Sequence, residues 1–317
     1  MLRSDWRADQ RPWLGVDLEQ WPADQAFVPL PPVALIGAGA ADHPQAGGLD
    51  ILLEPGFSLD SLARRIEANP QASTAVIELL RSTERVGLEA ALTLESFAFA
   101  MLQGGEEHGR WLDARTGEPL AAPGKVRVSR EGARLDVVLD RPQALNAIDR
   151  GMRDALFEAF ALAALDEEIQ QVRLMGVGRA FSMGADLADF GVTRDPATAH
   201  AIRARTLPAR QLIRRREIYH VHVQGGCVGS GLELAAFASR LTASPGAWFQ
   251  LPETAMGILP GFGGCVSLPR RIGRRRAALL MLSGKRIDLS KALEWGLVDA
   301  VMDDPAADER RAHEVGA

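Results

Sequence analysis

From Lys125 onward, short strand-like runs alternate with helix-like ones, and that alternation constrains the fold more than any other feature of the chain. RLDVVLD alternates apolar and polar residues with period two, as a half-buried strand does. MRDALFEAFALAALD is amphipathic with a helical period, QVRLMGVG reads as a buried strand and YHVHVQG as another. GLELAAFASR reads as a helix, RLTASPGAWFQ as a strand, LPRRIGRRRAALLMLSG as a helix, and KALEWGLVDAV as a helix running into a strand. Parallel neighbours need crossover connections, so this order predicts an α/β protein of stacked parallel βαβ units. No sequence repeat of fixed period accompanies it.

The segments before Lys125 have a different texture. Residues 1–55 carry Pro29, Pro31 and Pro32 and two apolar runs, Val33 to Ile36 and Ile51 to Leu53, which predict short strands joined by a Gly/Ala-rich turn. The GAGA after Ile36 lacks the glycine pattern and downstream acidic residue of a dinucleotide loop. Residues 56–120 turn helical: Leu62, Ile66, Val76, Leu79 and Leu80 recur at helical spacing, and Pro70 suits the first turn of a second helix. A longer helix follows through Leu88, Leu92, Leu94, Glu95, Phe99 and Leu102, ended by Gly104 and Gly105. LAAPGKV reads as a linker into a core at 126–303, and 304–317 as a short tail.

Composition narrows the functional classes. Across 317 residues, 47% are hydrophobic and 24% charged, as in an ordinary soluble globular chain. A net charge of -5 argues against general attraction to nucleic acid or anionic membrane. The arginines at 214–216, 270–271 and 274–276 are expected to form solvated faces. The two cysteines, Cys227 and Cys265, have neither metal-ligand spacing nor a disulfide framework. No signal-like or membrane-spanning run is apparent, which predicts a cytoplasmic protein.

Three small-residue segments carry the candidate chemistry. SMGADL, Ser182 to Leu187, follows a strand, and its small residues would let a ligand approach backbone N–H groups. GGCVGSGLE, ending at Glu233, lies between a strand and a helix whose first N–H groups are unpaired. Read singly, it is a packing turn with a solvated glutamate that favours the helix dipole. In LPETAMGILPGFGG, Glu253 stands among Trp248, Phe249, Leu251, Met256, Ile258 and Leu259. Such neighbours would desolvate it and raise its pKa, unless it is a solvated or capping residue.

Taken in order, RPQALNAID, AFSMGADL, VGSGLEL, LPETAMGILPGFGG and GKRIDLSKALEWGLVD resemble the enoyl-CoA hydratase/isomerase (crotonase) family over about Val126 to Val301. The resemblance implies a crotonase-like ββα superhelix and an acyl-CoA thioester as substrate. The N–H groups of Ala185 and Ser230 would form an oxyanion hole, and Glu233 and Glu253 would be the acid/base pair of a hydratase. It further implies substrate contacts at Ala144, Leu145, Met183, Gly184, Asp186, Leu187, Gly229, Trp111 and Arg115. No metal or redox cofactor is expected, CoA being part of the substrate; a homo-oligomer, a trimer or dimer of trimers, is. Isomerase, hydrolase or lyase activity on an acyl-CoA, or a non-catalytic scaffold, are the alternatives.

Departures from the family pattern are also visible. Gln143 stands where a basic residue often approaches the CoA phosphates, with Arg141 nearby. Ser230 replaces a common glycine, and His220 and His222 replace apolar residues on one strand face, as packed or interface histidines. Met183, Trp248 and Phe262 suggest an apolar acyl lining. The chain ends soon after GLVD, yet residues 56–120, with PxxxL, ANPxA, LxLE and the Trp111/Arg115 pair, look like the family's missing C-terminal helices. That texture suggests a circular permutation with the helical module in front, the alternative being an unrelated helical extension.

Overall fold

The computed structural model describes residues 11–27, 32–115 and 122–303; the tail at 304–317 and part of the LAAPGKV linker lie outside them. The chain opens with β1 (Trp13–Asp17), β2 (Ala34–Ala38) and β3 (Ile51–Leu52), a parallel three-stranded sheet in that order. Four helices follow: α1 (Leu59–Ala68), α2 (Pro70–Thr83), α3 (Leu88–Gln103) and α4 (Glu106–Asp113). Ser58 caps α1, and Pro70 occupies the first turn of α2. Both carboxylate oxygens of buried Glu107 on α4 accept the Gln71 and Ala72 N–H groups, at 2.8 and 2.9 Å, tying α4 to the start of α2.

The second half carries β4 (Lys125–Glu131), β5 (Arg134–Asp140), α5 (Arg150–Leu165), β6 (Gln171–Gly176), α6 (Pro196–Thr206), α7 (Ala209–Leu212) and β7 (Tyr219–Val223). After these come β8 (Gly226–Val228), α8 (Ser230–Ala235), β9 (Arg240–Ala243), β10 (Trp248–Gln250), α9 (Gly264–Ile272), α10 (Arg274–Ser283), β11 (Ile287–Asp288), α11 (Leu289–Glu294) and β12 (Ala300–Val301). The main sheet runs β12-β9-β7-β6-β5-β4 and is parallel except for the β4/β5 hairpin. A smaller sheet, β11-β10-β8, stands beside it, so the chain crosses repeatedly between two layers. The alternation in β5 is real: Leu135, Val137 and Leu139 are buried, and the residues between them are partly open.

Two segments split where continuity was expected. RLTASPGAWFQ makes two strands, β9 and β10, in different sheets, because Ser244 to Ala247 turn between them. LPRRIGRRRAALLMLSG is two helices, broken at Gly273, whose φ of 82° a side chain would resist. His222 is buried, its ring nitrogens 3.0 and 2.9 Å from the Thr242 and Ser244 hydroxyls, while His220 meets Gln171 at 2.8 Å.

One hydrophobic core spans both halves: Ile66, Val76 and Leu92 of the leading helices share it with Leu259, Val266 and Leu279. A smaller cluster, including Leu18, Phe27 and Leu49, fills the N-terminal sheet. Among the described residues no helix is long and apolar enough to cross a membrane.

The arginines at 270–276 correct the expectation of a solvated face. Arg270 donates to Thr83 and Val86 carbonyls, Arg275 to that of Ala46, and Arg276 pairs with Glu54 at 2.7 Å. Arg271 bonds the Ala238 and Leu297 carbonyls and Asp299. Arg274 reaches Asp50 at 2.9 Å, where Arg81 also binds. The reason is tertiary: most partners lie at least 184 residues earlier and those of Arg271 in other loops, where a run of like charges gives no sign of them. Arg215 likewise caps the carbonyls of Ala163, Asp166 and Ile169.

Asp50, 1% exposed, thus holds two guanidiniums and accepts the Leu35 N–H at 2.9 Å. Asp50→Ala is expected to cost about 3–5 kcal/mol in urea unfolding, because Arg81 and Arg274 lose their shared buried carboxylate and keep the Val33 carbonyl and Glu84. A loss below about 1 kcal/mol would mean the clamp contributes little.

Candidate active site

The site forms where the loop after β6, the β8–α8 turn and the segment before α9 meet. Asn146, fully buried and in left-handed backbone at φ 55°, is its organiser. Its Nδ2 donates to the Val177 and Ala180 carbonyls, and its Oδ1 accepts the Arg141 N–H. Ser182 Oγ donates to the Asn146 carbonyl and accepts the Gly184 N–H at 3.2 Å. The Gly184 carbonyl accepts from Ile148, and the Asp186 N–H donates to the Ile148 carbonyl. Ala185 is therefore fixed on both sides, and its own N–H meets no acceptor among the described residues.

Ser230 is the first residue of α8, so its N–H belongs to those a helix leaves unpaired. Gly229 before it has φ 49° and ψ -126°, and a Cβ there would stand 2.5 Å from Glu253 Oε1. Only glycine permits both the turn and the approach of that carboxyl.

Glu233 lies in the first turn of α8 and is 2% exposed. Its Oε2 accepts the N–H groups of Phe262 and Gly264, at 2.5 and 2.8 Å. Burial outweighs these bonds and pushes its pKa up to about 7. Glu253 opens a 3₁₀ turn, 8% exposed, with Oε2 buried and without a hydrogen-bond partner among the described residues. Burial first, then the nearby Glu233 charge, raises its pKa well above the ordinary carboxylate range. Two carboxyl groups in one hollow thus both hold protons more tightly than an exposed carboxylate does.

A cavity of about 420 Å³ joins these groups: Ala185, Ser230, Glu233 and Glu253 all line it. Ile148, Phe190 and Leu207 supply apolar wall, and α3 reaches over to add Phe99 and Gln103. The other expected substrate contacts do not line it. Ala144, Leu145 and Gly184 shape the loop behind Ala185, and Leu145 accepts the Met183 N–H. Asp186 is committed to buried Arg141 at 2.6 Å and to the Ala188 N–H, which hold its pKa low against the cost of burial. Arg141, 2% exposed and also bonded to the Ala122 and Ala147 carbonyls, is internal and cannot replace a surface base at Gln143.

Trp111 and Arg115 sit one layer back. Arg115 lies over the Trp111 ring and donates to the Leu187 carbonyl, and Trp111 meets Phe190 edge-on. They hold the loop that carries Phe190 into the cavity. Of the three apolar residues expected along the acyl group, only Phe262 lines the cavity. Met183 and Trp248 instead pack against Gly226, and Arg286 covers the Trp248 ring.

Two residues the motifs did not assign also reach the site. Glu95 of α3 is fully buried and accepts the Gly263 and Cys265 N–H groups at 2.8 and 2.9 Å. Arg203 of α6 lines the cavity, 3.7 Å from Glu95. The LxLE pattern contained Glu95, but nothing in it pointed to a turn 168 residues later.

The family described as enoyl-CoA hydratase/isomerase matches residues 130–314. The chain is similar to the 2,3-dehydroadipyl-CoA hydratase of Escherichia coli strain K12, 34% identical over 174 residues, which cover 55% of this chain and 68% of that protein. The enoyl-CoA hydratase structure from Thermoplasma volcanium GSS1 is 34% identical, with a TM-score of 0.51 over 60% of this chain and 76% of that one. A Thermobifida fusca YX protein crystallised with acetoacetyl-CoA shares the fold at 24% identity, TM-score 0.52, over 60% of this chain and 78% of that one. With its two-layered α/β core, its glycine-turn cavity and these likenesses, the chain belongs to the enoyl-CoA hydratase/isomerase family and has the crotonase fold.

Proposed function

We propose that the protein is an enoyl-CoA hydratase, adding water to a 2-enoyl-CoA thioester or removing it in reverse. The observation that carries this reading is the shared cavity: Glu233 and Glu253, both with raised pKa, line it together with Ala185 and Ser230. A water held by both carboxyl groups would attack the β-carbon while Glu233 takes its proton. The displaced π electrons move through the α-carbon onto the thioester oxygen. The N–H groups of Ala185 and Ser230 meet the resulting enolate, each donor being worth about 10²–10³ in rate. Glu253, whose burial favours its protonated form, then delivers its proton to the α-carbon. No step calls for a metal or redox group.

The match to the Escherichia coli hydratase supports a CoA thioester as ligand. We read residues 56–120 as the family's terminal helices in permuted order; the contribution of Phe99 and Gln103 to the cavity supports that. We also infer a cytoplasmic homo-oligomer, a trimer or dimer of trimers.

Crotonyl-CoA and longer enoyl-CoAs should lose their conjugated thioester absorbance when the protein is added. Glu233→Gln and Glu253→Gln should each lower kcat by about 10²–10⁴-fold, with CoA binding by calorimetry retained. Unchanged turnover in both variants removes the two-carboxylate mechanism. Absent binding of CoA and acyl-CoA favours a scaffold.

The pH profile has a definite sign. Glu233 must be ionised to act as base, so kcat/KM should rise as pH climbs through about 7. Glu253 must stay protonated, so activity should fall again in alkali, where it ionises. A profile flat between pH 5 and 10 contradicts this assignment.

A further inference from the structure

The turn from Gly261 to Cys265 is held by more than the proposed base. Glu233 takes the amides of Phe262 and Gly264, and Glu95 takes those of Gly263 and Cys265. Four consecutive N–H groups are thus shared alternately by two buried carboxylates, one from the core and one from the leading helices. Arg203 completes the group. Its guanidinium lies over Phe99 at 4.3 Å, donates to the Gly261 carbonyl, and stands 3.7 Å from Glu95 Oε1. It therefore grips the first residue of the same turn and faces both carboxylates. A carboxylate this deep is costly unless donors surround it, so a purely packing role leaves its retention among apolar neighbours unexplained.

We propose that Glu95 and Arg203 are positioning residues for Glu233: Glu95 anchors the turn whose amides orient the Glu233 carboxyl, and Arg203 grips the same turn at Gly261 and supplies the cation that faces the two carboxyl groups. The idea rests on the reading of Glu233 as base, though its structural half does not require turnover. Neither residue is assigned contact with the reacting atoms. The pair lets the helices ahead of the core act on the chemistry: α3 and α6 pack together, and each contributes one member.

Other groups around Glu233 set the background against which this pair acts. Glu253 on the 3₁₀ turn repels a second charge, the Cys265 thiol of α9 is buried beside the turn, and Arg210 of α7 and Arg153 of α5 face Arg203. Burial pushes Glu95 itself up to about 8, with the Glu233 charge acting in the same direction. Two neighbouring carboxyls near neutrality titrate as a coupled set, so the effect of each must be read by changing one at a time.

Glu95→Gln keeps the side-chain volume but replaces one acceptor with an NH2 facing an amide donor, which should loosen the turn. Two opposing effects make the test discriminating. If Glu95 acts through the turn, Glu233 loses its oriented donors and its ionisation midpoint rises, by about half a unit or more. If Glu95 is only a like charge beside Glu233, the midpoint falls. If it only fills space, the midpoint stays. Arg203→Gln should raise the midpoint by a similar amount, because a facing cation is lost.

The midpoint is read from the carboxyl infrared bands during pH titration of the full chain, with Glu233→Gln identifying the band. This readout needs no substrate, so failure of the hydratase reading and failure of this one are separate results. Where turnover is present, Glu95→Gln should lower kcat about tenfold or more with KM changed less than threefold. A fall or no movement of the Glu233 midpoint in Glu95→Gln overturns the positioning role, as does no movement in Arg203→Gln. Arg203 sits on the open cavity wall, so its variant tests the pair even where Glu95→Gln does not accumulate as folded protein.

Discussion

Alternating amide donation at the turn before α9 is the interaction the site depends on. A carboxylate removed from water is strongly disfavoured, and backbone N–H groups are the donors best able to offset that without adding charge. Because Glu95 and Glu233 divide four successive donors, neither can shift without freeing a buried amide. The hollow is therefore a junction: its proposed base belongs to α8, the donors to the turn that enters α9, and the outer brace to α3.

The same logic extends outward through arginine. Arg81 and Arg274 meet on Asp50, Arg276 on Glu54, and Arg270 caps the end of α2. Guanidinium suits these places because its planar fork satisfies carboxylates and carbonyls at once. The N-terminal sheet and the leading helices are thereby fastened to α9 and α10, and α9 begins within the turn that binds Glu233. Stability and site geometry consequently share the same contacts.

Much of this was legible in the residues. The ordered motifs that resemble the family singled out Ala185, Ser230, Glu233 and Glu253, which line one cavity, while the period-two pattern of RLDVVLD and the strand–helix alternation lead directly to β5 and the parallel sheet. Local pattern carries such features because each is decided within a dozen residues. What escaped was decided at long range. Arg274 and Arg276 looked solvated because their partners, Asp50 and Glu54, lie some 220 residues earlier in the chain, whereas Arg214, Arg216 and Arg270 are exposed as expected. Met183 and Trp248 have the right chemistry for an acyl wall, yet they pack on Gly226, where the absence of a side chain leaves room. Trp111 and Arg115 proved to be a brace for Phe190, a distinction that spacing alone cannot draw.

The sequence separation of the brace carries a further consequence. Glu95 leaves the ribosome 168 residues before the first amide it must hold. Until then the emerging helices expose the apolar surface that later meets α9, together with a carboxylate lacking its donors. Closure of so long a loop is entropically slow. The cover of this cavity thus waits in an unfinished state while 168 further residues are made, and its completion coincides with the arrival of the floor it is built to close.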